Sequence, residues 1–261
     1  MENKEILTDG YSLINGDCLT VMKDIPDKSI DMVCCDLPYG TTACKWDNVI
    51  PFESLWEQYN RIIKDNGAIC LFGSEPFSSK LRMSNLKHFK YDWIWEKHKP
   101  SNFALAKKQP LKYHETISVF YKKQCCYNPQ MIPRESRRVQ QGQLHNEIGI
   151  SINKQQLNNL NNTTHDYKIY DANLKLPSSI IKNPAVVSTS KENVGHPTQK
   201  PVALLEYLIK TYTTEGETVL DNCMGSGSTG VACLNTNRKF IGIELDQNYF
   251  EIAQNRLAQT K

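Results

Sequence analysis

No apolar run in this 261-residue chain approaches the roughly 20 residues that a bilayer-spanning helix needs, so no membrane span is expected. Residues 1–9 are polar and acidic and lack the apolar stretch of a secretory leader. Cys-x-x-Cys pairs are missing as well. The 9 cysteines are irregularly spaced, with Cys34-Cys35 and Cys125-Cys126 adjacent. A tetrahedral zinc site needs thiolates a few positions apart, so no metal is expected. Free thiols in a reducing cytoplasm are the expectation instead. Neither sign of charge is in excess: 31 Lys+Arg face 28 Asp+Glu, a formal net charge of +3. That total alone gives no sign of a polyanion partner. The Gly-Lys-Ser/Thr ending of a phosphate-binding loop is absent. No internal repeat is present, which excludes a solenoid.

The chain does have enough apolar residues, 39%, to bury a core, and its length fits one large domain or one domain with an insert. The patterning is that of alternating strands and helices. Residues 12–15 read as a strand, and 18–25 as a helix with Leu19, Met22 and Ile25 on one face. Residues 30–35 form a near-continuous apolar run of strand length, as expected of a strand buried on both faces. Helical spacing returns over 52–63, with Asp65-Asn66-Gly67 read as its stop signal, and a strand follows at 68–72. Pro76 opens a helix running to about Asn85, and 91–95 and 116–121 read as strands. After Pro201 come a helix, a strand at 218–221, a helix from Ser228, a strand at 239–243 and a last helix at 247–258. The order implies an α/β fold, a mostly parallel twisted sheet with helices on both faces.

Between Lys122 and Lys200 the composition changes. This stretch of 79 residues holds 10 Asn and 8 Gln, with weak apolar periodicity, and 11 Lys+Arg against 5 Asp+Glu. The expectation is a small irregular insert at 123–195 between a first half at 1–122 and a second at 196–261. The stretch 122–200 carries a net +6, so the near-neutral total hides a basic segment on an acidic remainder.

Two segments carry chemistry. Asp221-Asn222-Cys223-Met224-Gly225-Ser226-Gly227 joins a strand to a helix, and its glycines permit a sharp bend and close ligand approach. About twenty residues on, Glu244 ends the next strand, where an acid can accept hydrogen bonds from both ribose hydroxyls. This pairing fits an adenosine-containing cofactor. A full dinucleotide fingerprint fits poorly, and a cofactor without phosphate, such as S-adenosylmethionine, suits the turn better. The second segment, Asp36-Leu37-Pro38-Tyr39, follows the buried strand. An exocyclic amine conjugated to a base is a poor nucleophile. A carboxylate and a main-chain carbonyl accepting its two hydrogens pull the nitrogen towards a tetrahedral form. Pro38 fixes the turn that presents such a carbonyl, and Tyr39 can stack on the base. The same tetrapeptide also reads as an ordinary turn.

Together these residues resemble the amino-methyltransferases of DNA, the N6-adenine/N4-cytosine type. Asp36-Leu37-Pro38-Tyr39 is similar to their motif IV, Asp221 to Gly227 to motif I, and Glu244 to motif II. His196-Pro197-Thr198-Gln199-Lys200-Pro201 is similar to motif X, and the segment from His114-Glu115 to Phe120 to motif VIII. Motif IV before motif I is the order of the β group. The departures are Leu37 for a proline and Asn222-Cys223 for Pro-Phe.

The resemblance implies a Rossmann-like, circularly permuted S-adenosylmethionine-dependent fold. By position, Asp36, Leu37, Pro38 and Tyr39 form the catalytic segment. Asp17, Asp36, Thr198, Lys200, Asp221, Cys223, Gly225, Ser226, Gly227, Glu244 and Asp246 form the cofactor set. Direct methyl transfer to the N6 amine of adenine is implied, with N4 of cytosine as runner-up. A Pro-Cys nucleophile for attack through cytosine carbon is absent. Protein glutamine methylation and a non-catalytic DNA-binding relic are weaker readings, the first because of motif order, the second because the site residues are intact. Duplex DNA requires base flipping and a basic face. Lys97, Lys99, Lys107 and Lys108 lie in an acid-free stretch ending at Lys112, and Arg134, Arg137 and Arg138 lie in the insert. A cognate restriction endonuclease, a homodimer and a cytoplasmic location in a prokaryotic or phage-infected cell complete the expectations.

Overall fold

Six consecutive apolar or shielded positions, Ile30–Cys35, are all buried because this strand, β3, lies in the middle of a sheet. The computed structural model describes residues 4–40, 47–133 and 173–260. It divides into two units, one of residues 1–128 with 179–261, the other of residues 129–178. The separate unit is thus narrower than the insert expected from composition. Residues 123–128 and 179–195 belong with the main unit. Of the smaller unit, the described part is a two-residue antiparallel ladder, β7 (Ile132–Pro133) with β8 (Leu174–Lys175).

The main unit is built on a nine-stranded sheet among the described residues. Its strands are β1 (Lys4–Leu7), β2 (Tyr11–Asn15), β3, β4 (Ile63–Gly73), β5 (Phe89–Ser101), β6 (Lys112–Phe120), β9 (Ile180–Lys182), β10 (Thr218–Asp221) and β11 (Lys239–Glu244). They lie in the order β1-β2-β11-β10-β3-β4-β6-β5-β9. From β2 to β4 every neighbour is parallel. β6 runs antiparallel to both β4 and β5, and β1 antiparallel to β2.

Side chains alternate across this sheet. Met32, Cys34, Ala68, Cys70 and Val219 face one apolar cluster, which α4 (Val202–Tyr212), α5 (Ser228–Asn235) and α6 (Gln247–Ala258) complete. Val33, Cys35, Ile69, Leu71 and Leu220 face the other, completed by α1 (Cys18–Val21), α2 (Phe52–Ile62) and α3 (Phe77–Ser84). Burial on both faces is why the central strands read as apolar runs rather than alternating ones.

Several local expectations change. The helix at 18–25 is one α-turn followed by a 3-10 turn, Met22–Asp24. Asp65-Asn66-Gly67 is not a helix stop: α2 already ends at Ile62, and these residues sit within β4 beside a register shift against β3. Gly67 is required there because a Cβ would come 2.7 Å from the Asp31 carbonyl oxygen. β5 and β6 are longer than predicted, so the loop between them spans only 102–111. The edge strand β1, with no fully buried position, had no apolar periodicity to reveal it.

Candidate active site

Parallel strands end on the same edge, so the segments after β2, β3, β10 and β11 meet there although they are far apart in sequence. The antiparallel pair adds to the same edge. Gly73 at the end of β4 is opposite Thr116, and Trp95 is opposite Glu115. A cavity of about 680 Å³ opens at this edge. Of the predicted residues, Asp17, Asp36, Leu37, Pro38, Tyr39 and Thr198 line it, as do Lys200, Asp221, Cys223, Gly225, Ser226 and Glu244. Gly227 and Asp246 are not among its lining residues.

The turn after β10 is fixed from several sides. Asp221 accepts from the Thr229 hydroxyl at 2.6 Å and from the Cys223 amide at 3.1 Å. Burial pushes its carboxyl up to about 6, against the lowering effect of those bonds. Glu244 accepts from the Gly225 amide at 2.8 Å on one oxygen and from the Asp246 amide at 2.8 Å on the other. Each carboxylate oxygen keeps a further lone pair for a ligand. Burial raises the Glu244 carboxyl also.

The two glycines serve packing. Gly225, at φ +51°, leaves room for His196, whose Nε2 would lie 2.9 Å from an added Cβ. Gly227, at φ +76°, faces Ala253 and Leu257 of α6. Asp246 is the N-cap of α6, accepting from the Asn248 and Tyr249 amides. Asp17 caps α1 in the same way, accepting from Thr20 at 2.9 Å, while still facing the cavity.

The tetrapeptide enters the cavity from β3. The Tyr39 hydroxyl donates to Asp36 Oδ1 at 2.5 Å, and its ring stacks on Phe77 at 4.9 Å. Leu37 turns into the core. Lys200 donates to Asp36 Oδ2 and also lies 3.6 Å from Glu115 Oε2. Glu115 Oε1 accepts from Lys97 at 2.9 Å. Asp36, Glu115, Lys97 and Lys200 thus form one chain of alternating charge along the cavity wall. Burial raises the Asp36 carboxyl despite Lys200. For Glu115 and Lys200 burial opposes the charged form, but their partners outweigh it, lowering the Glu115 carboxyl and raising the Lys200 ammonium. His196 packs against Tyr249 at 4.4 Å, and burial with the nearby Lys200 charge depresses its imidazole to about 4.

Sequence reasoning placed Lys97 on a DNA-facing loop. It is in fact the inner half of an ion pair on β5, 8% exposed, while Lys99, Lys107 and Lys108 are exposed. Lys200, expected in the cofactor set, lines the cavity and donates to Asp36 of the tetrapeptide. Glu115 was visible only as part of a resembling segment, and the register of β5 on β6 is what puts it here. Tyr249 carried no signal beyond helical periodicity. Arg134, Arg137 and Arg138 lie outside the described residues.

Residues 30–255 match the DNA methylase family of the N6/N4 type. The chain belongs to that family. Among curated proteins it is similar to the DNA adenine methyltransferase YhdJ of Escherichia coli, 29% identical over 94% of this chain and 82% of that protein. The type II methyltransferase M2.MboI of Moraxella bovis is 26% identical over 94% of this chain and 87% of its own length. Two solved structures share the fold. The M1.HpyAVI–SAM complex has a TM-score of 0.62 at 23% identity, covering 95% of this chain and 98% of its own. The cytosine-N4-specific PvuII DNA methyltransferase has a TM-score of 0.65 at 16% identity, covering 95% and 86%. Among the described residues no helix is long and apolar enough to cross a membrane.

Proposed function

We propose that this DNA methylase transfers the methyl group of S-adenosylmethionine to the N6 amino group of adenine in duplex DNA. The observation that carries the reading is the meeting of Asp36-Leu37-Pro38-Tyr39 with the Gly225 turn and Glu244 in one cavity. The cavity suits the cofactor chemically. Its wall holds Asp17, Asp36, Asp221 and Glu244, its two buried lysines are committed to carboxylates, and its third lysine, Lys99, is exposed. Such a wall disfavours phosphate and favours a ligand bearing a sulfonium and an ammonium. Bound S-adenosylmethionine supplies an electrophilic methyl group. Glu244 would hold the ribose, Asp17 would face the adenine end, and Gly225, Ser226, Cys223 and Thr198 would line the remainder.

Asp36 accepts one hydrogen of the target amine and the Pro38 carbonyl the other, which localises the nitrogen lone pair towards the methyl donor. Tyr39, backed by Phe77, presents its ring to the base. Because the amine of a paired base is inside the stack, the target is flipped out. Lys99, Lys107 and Lys108 contact phosphates. The unit at 129–178, with Arg134, Arg137 and Arg138, reads base edges.

Adenine is preferred because one relative, YhdJ, is named a DNA adenine methyltransferase and because position 36 is Asp. The N4 amine of cytosine is the second reading, favoured by the fold shared with a cytosine-N4-specific enzyme. The type II relatives support a cognate endonuclease acting on the same sequence. A homodimer and a cytoplasmic, chromosome-associated location follow the family resemblance. The test is incubation with labelled cofactor and DNA followed by digestion to nucleosides. N6-methyladenine is expected. N4-methylcytosine alone overturns the substrate, and labelled protein with unlabelled DNA overturns the reading entirely. Asp36→Ala should keep cofactor binding and lose transfer.

A further inference from the structure

Both oxygens of Asp36 are engaged before any base arrives. Tyr39 holds Oδ1, and the Lys200 ammonium holds Oδ2, an oxygen the target amine needs. Lys200 has a second carboxylate close by. Glu115 Oε2, 3.6 Å away, is buried and has no hydrogen-bond partner. Charge-assisted pairs close at about 2.8 Å, so a shift of roughly 0.8 Å would complete that bond. An unpartnered buried carboxylate oxygen is costly, and such atoms are few in folded proteins. Here the orphan atom lies where the ammonium would go on leaving Asp36. Glu115 itself is anchored, since its other oxygen is fixed by Lys97.

We infer that Lys200 is a placeholder cation and Glu115 its waiting site. In the empty cavity the ammonium occupies the acceptor position on Asp36. When the amine arrives, the ammonium withdraws to Glu115 Oε2 and the amine takes its place. The inference rests on the proposed amine transfer. Its electrostatic logic is that methyl transfer moves positive charge onto the target nitrogen. A cation still seated on Asp36 would repel that charge, whereas one seated on Glu115 leaves Asp36 free to accept the proton that the methylated amine sheds. The exchange itself leaves the net charge of the cavity wall unchanged, because the lysine only changes carboxylates. Lys200 and Glu115 are positioning residues in this scheme, and Lys97 holds the waiting site in place.

The scheme predicts that Glu115 acts through Lys200, which a double-mutant cycle reads directly. The set is the full-length wild type, Glu115→Gln, Lys200→Met and the double variant. In the wild-type background Glu115→Gln should lower kcat by about tenfold, within the range for residues sharing one ion-pair network. S-adenosylmethionine affinity, measured by calorimetry without DNA, should be unchanged. In the Lys200→Met background the same change should cost less than about twofold. Lys200→Gln repeats the cycle should the Met variant be poorly folded, with thermal unfolding as the check. Equal costs of Glu115→Gln in both backgrounds would overturn the inference and leave the amine transfer standing. Loss of cofactor affinity in Lys200→Met would also overturn it, placing the ammonium on the cofactor instead. A wild-type protein that methylates no DNA removes both readings.

Discussion

A Gly227→Ala substitution separates packing from ligand approach at the glycine turn. Gly227 sits at φ +76°, and a Cβ there would lie 2.9 Å from both Ala253 Cβ and Leu257 Cδ1 and 3.2 Å from Ala253 Cα. Those neighbours belong to α6 and are buried, so they have no space to yield into. The left-handed conformation costs a non-glycine residue roughly 1–2 kcal/mol. Overpacking a dense core costs roughly 1–3 kcal/mol. Together these give a loss of about 2–5 kcal/mol. For a chain of this length the unfolding entropy is about 0.55 kcal/mol/K, so Tm should fall by roughly 4–9 °C. The assay is thermal unfolding of the protein without cofactor, followed by cofactor titration below the transition. An unchanged Tm with weakened cofactor binding would refute the packing argument, and the glycine would then serve the ligand.

The same turn predicts a pH dependence. Asp221 is raised from 3.8 to about 6 by burial, so the folded protein binds its proton more tightly than the unfolded chain does. The stability it contributes is present below about pH 4 and is lost as pH rises towards 6, a term of order 2–3 kcal/mol. Asp221→Asn should flatten that part of the stability curve and be no less stable at pH 7. Urea denaturation from pH 4 to 7 checks it, and an unaltered slope would count against the assignment. On the DNA side, Lys108→Gln should reduce the salt dependence of duplex binding by about one unit of log–log slope and weaken all sequences alike. A change in sequence preference instead would mean that Lys108 reads bases.

The central strands were legible because burial on both faces writes an apolar run into the sequence, as in Ile30–Cys35. The last helix, 247–258, was legible from its apolar periodicity, whereas its capping aspartate, Asp246, was expected at the cofactor. The ends of β4 and β5 were not. Their extensions carry polar residues whose pairing depends on a neighbouring strand, and Asp65-Asn66-Gly67 looks like a turn until the backbone of β3 is alongside. The glycines and the strand-terminal acids were visible as chemistry, but the space that Gly227 leaves belongs to a helix near the other end of the turn's own α/β unit.

By itself the sequence determined the α/β class, the tetrapeptide, the cofactor turn and their order, because each is a local pattern of residue types. Only the tertiary structure decided what the lysines do. Lys97 and Lys200 read alike as surface or ligand cations. Yet antiparallel pairing of β5 with β6 sets Glu115 at the edge where β3 delivers Asp36, and burial there obliges each carboxylate to find a cation. Charge partners are chosen by which strands lie side by side, and no sequence spacing encodes that.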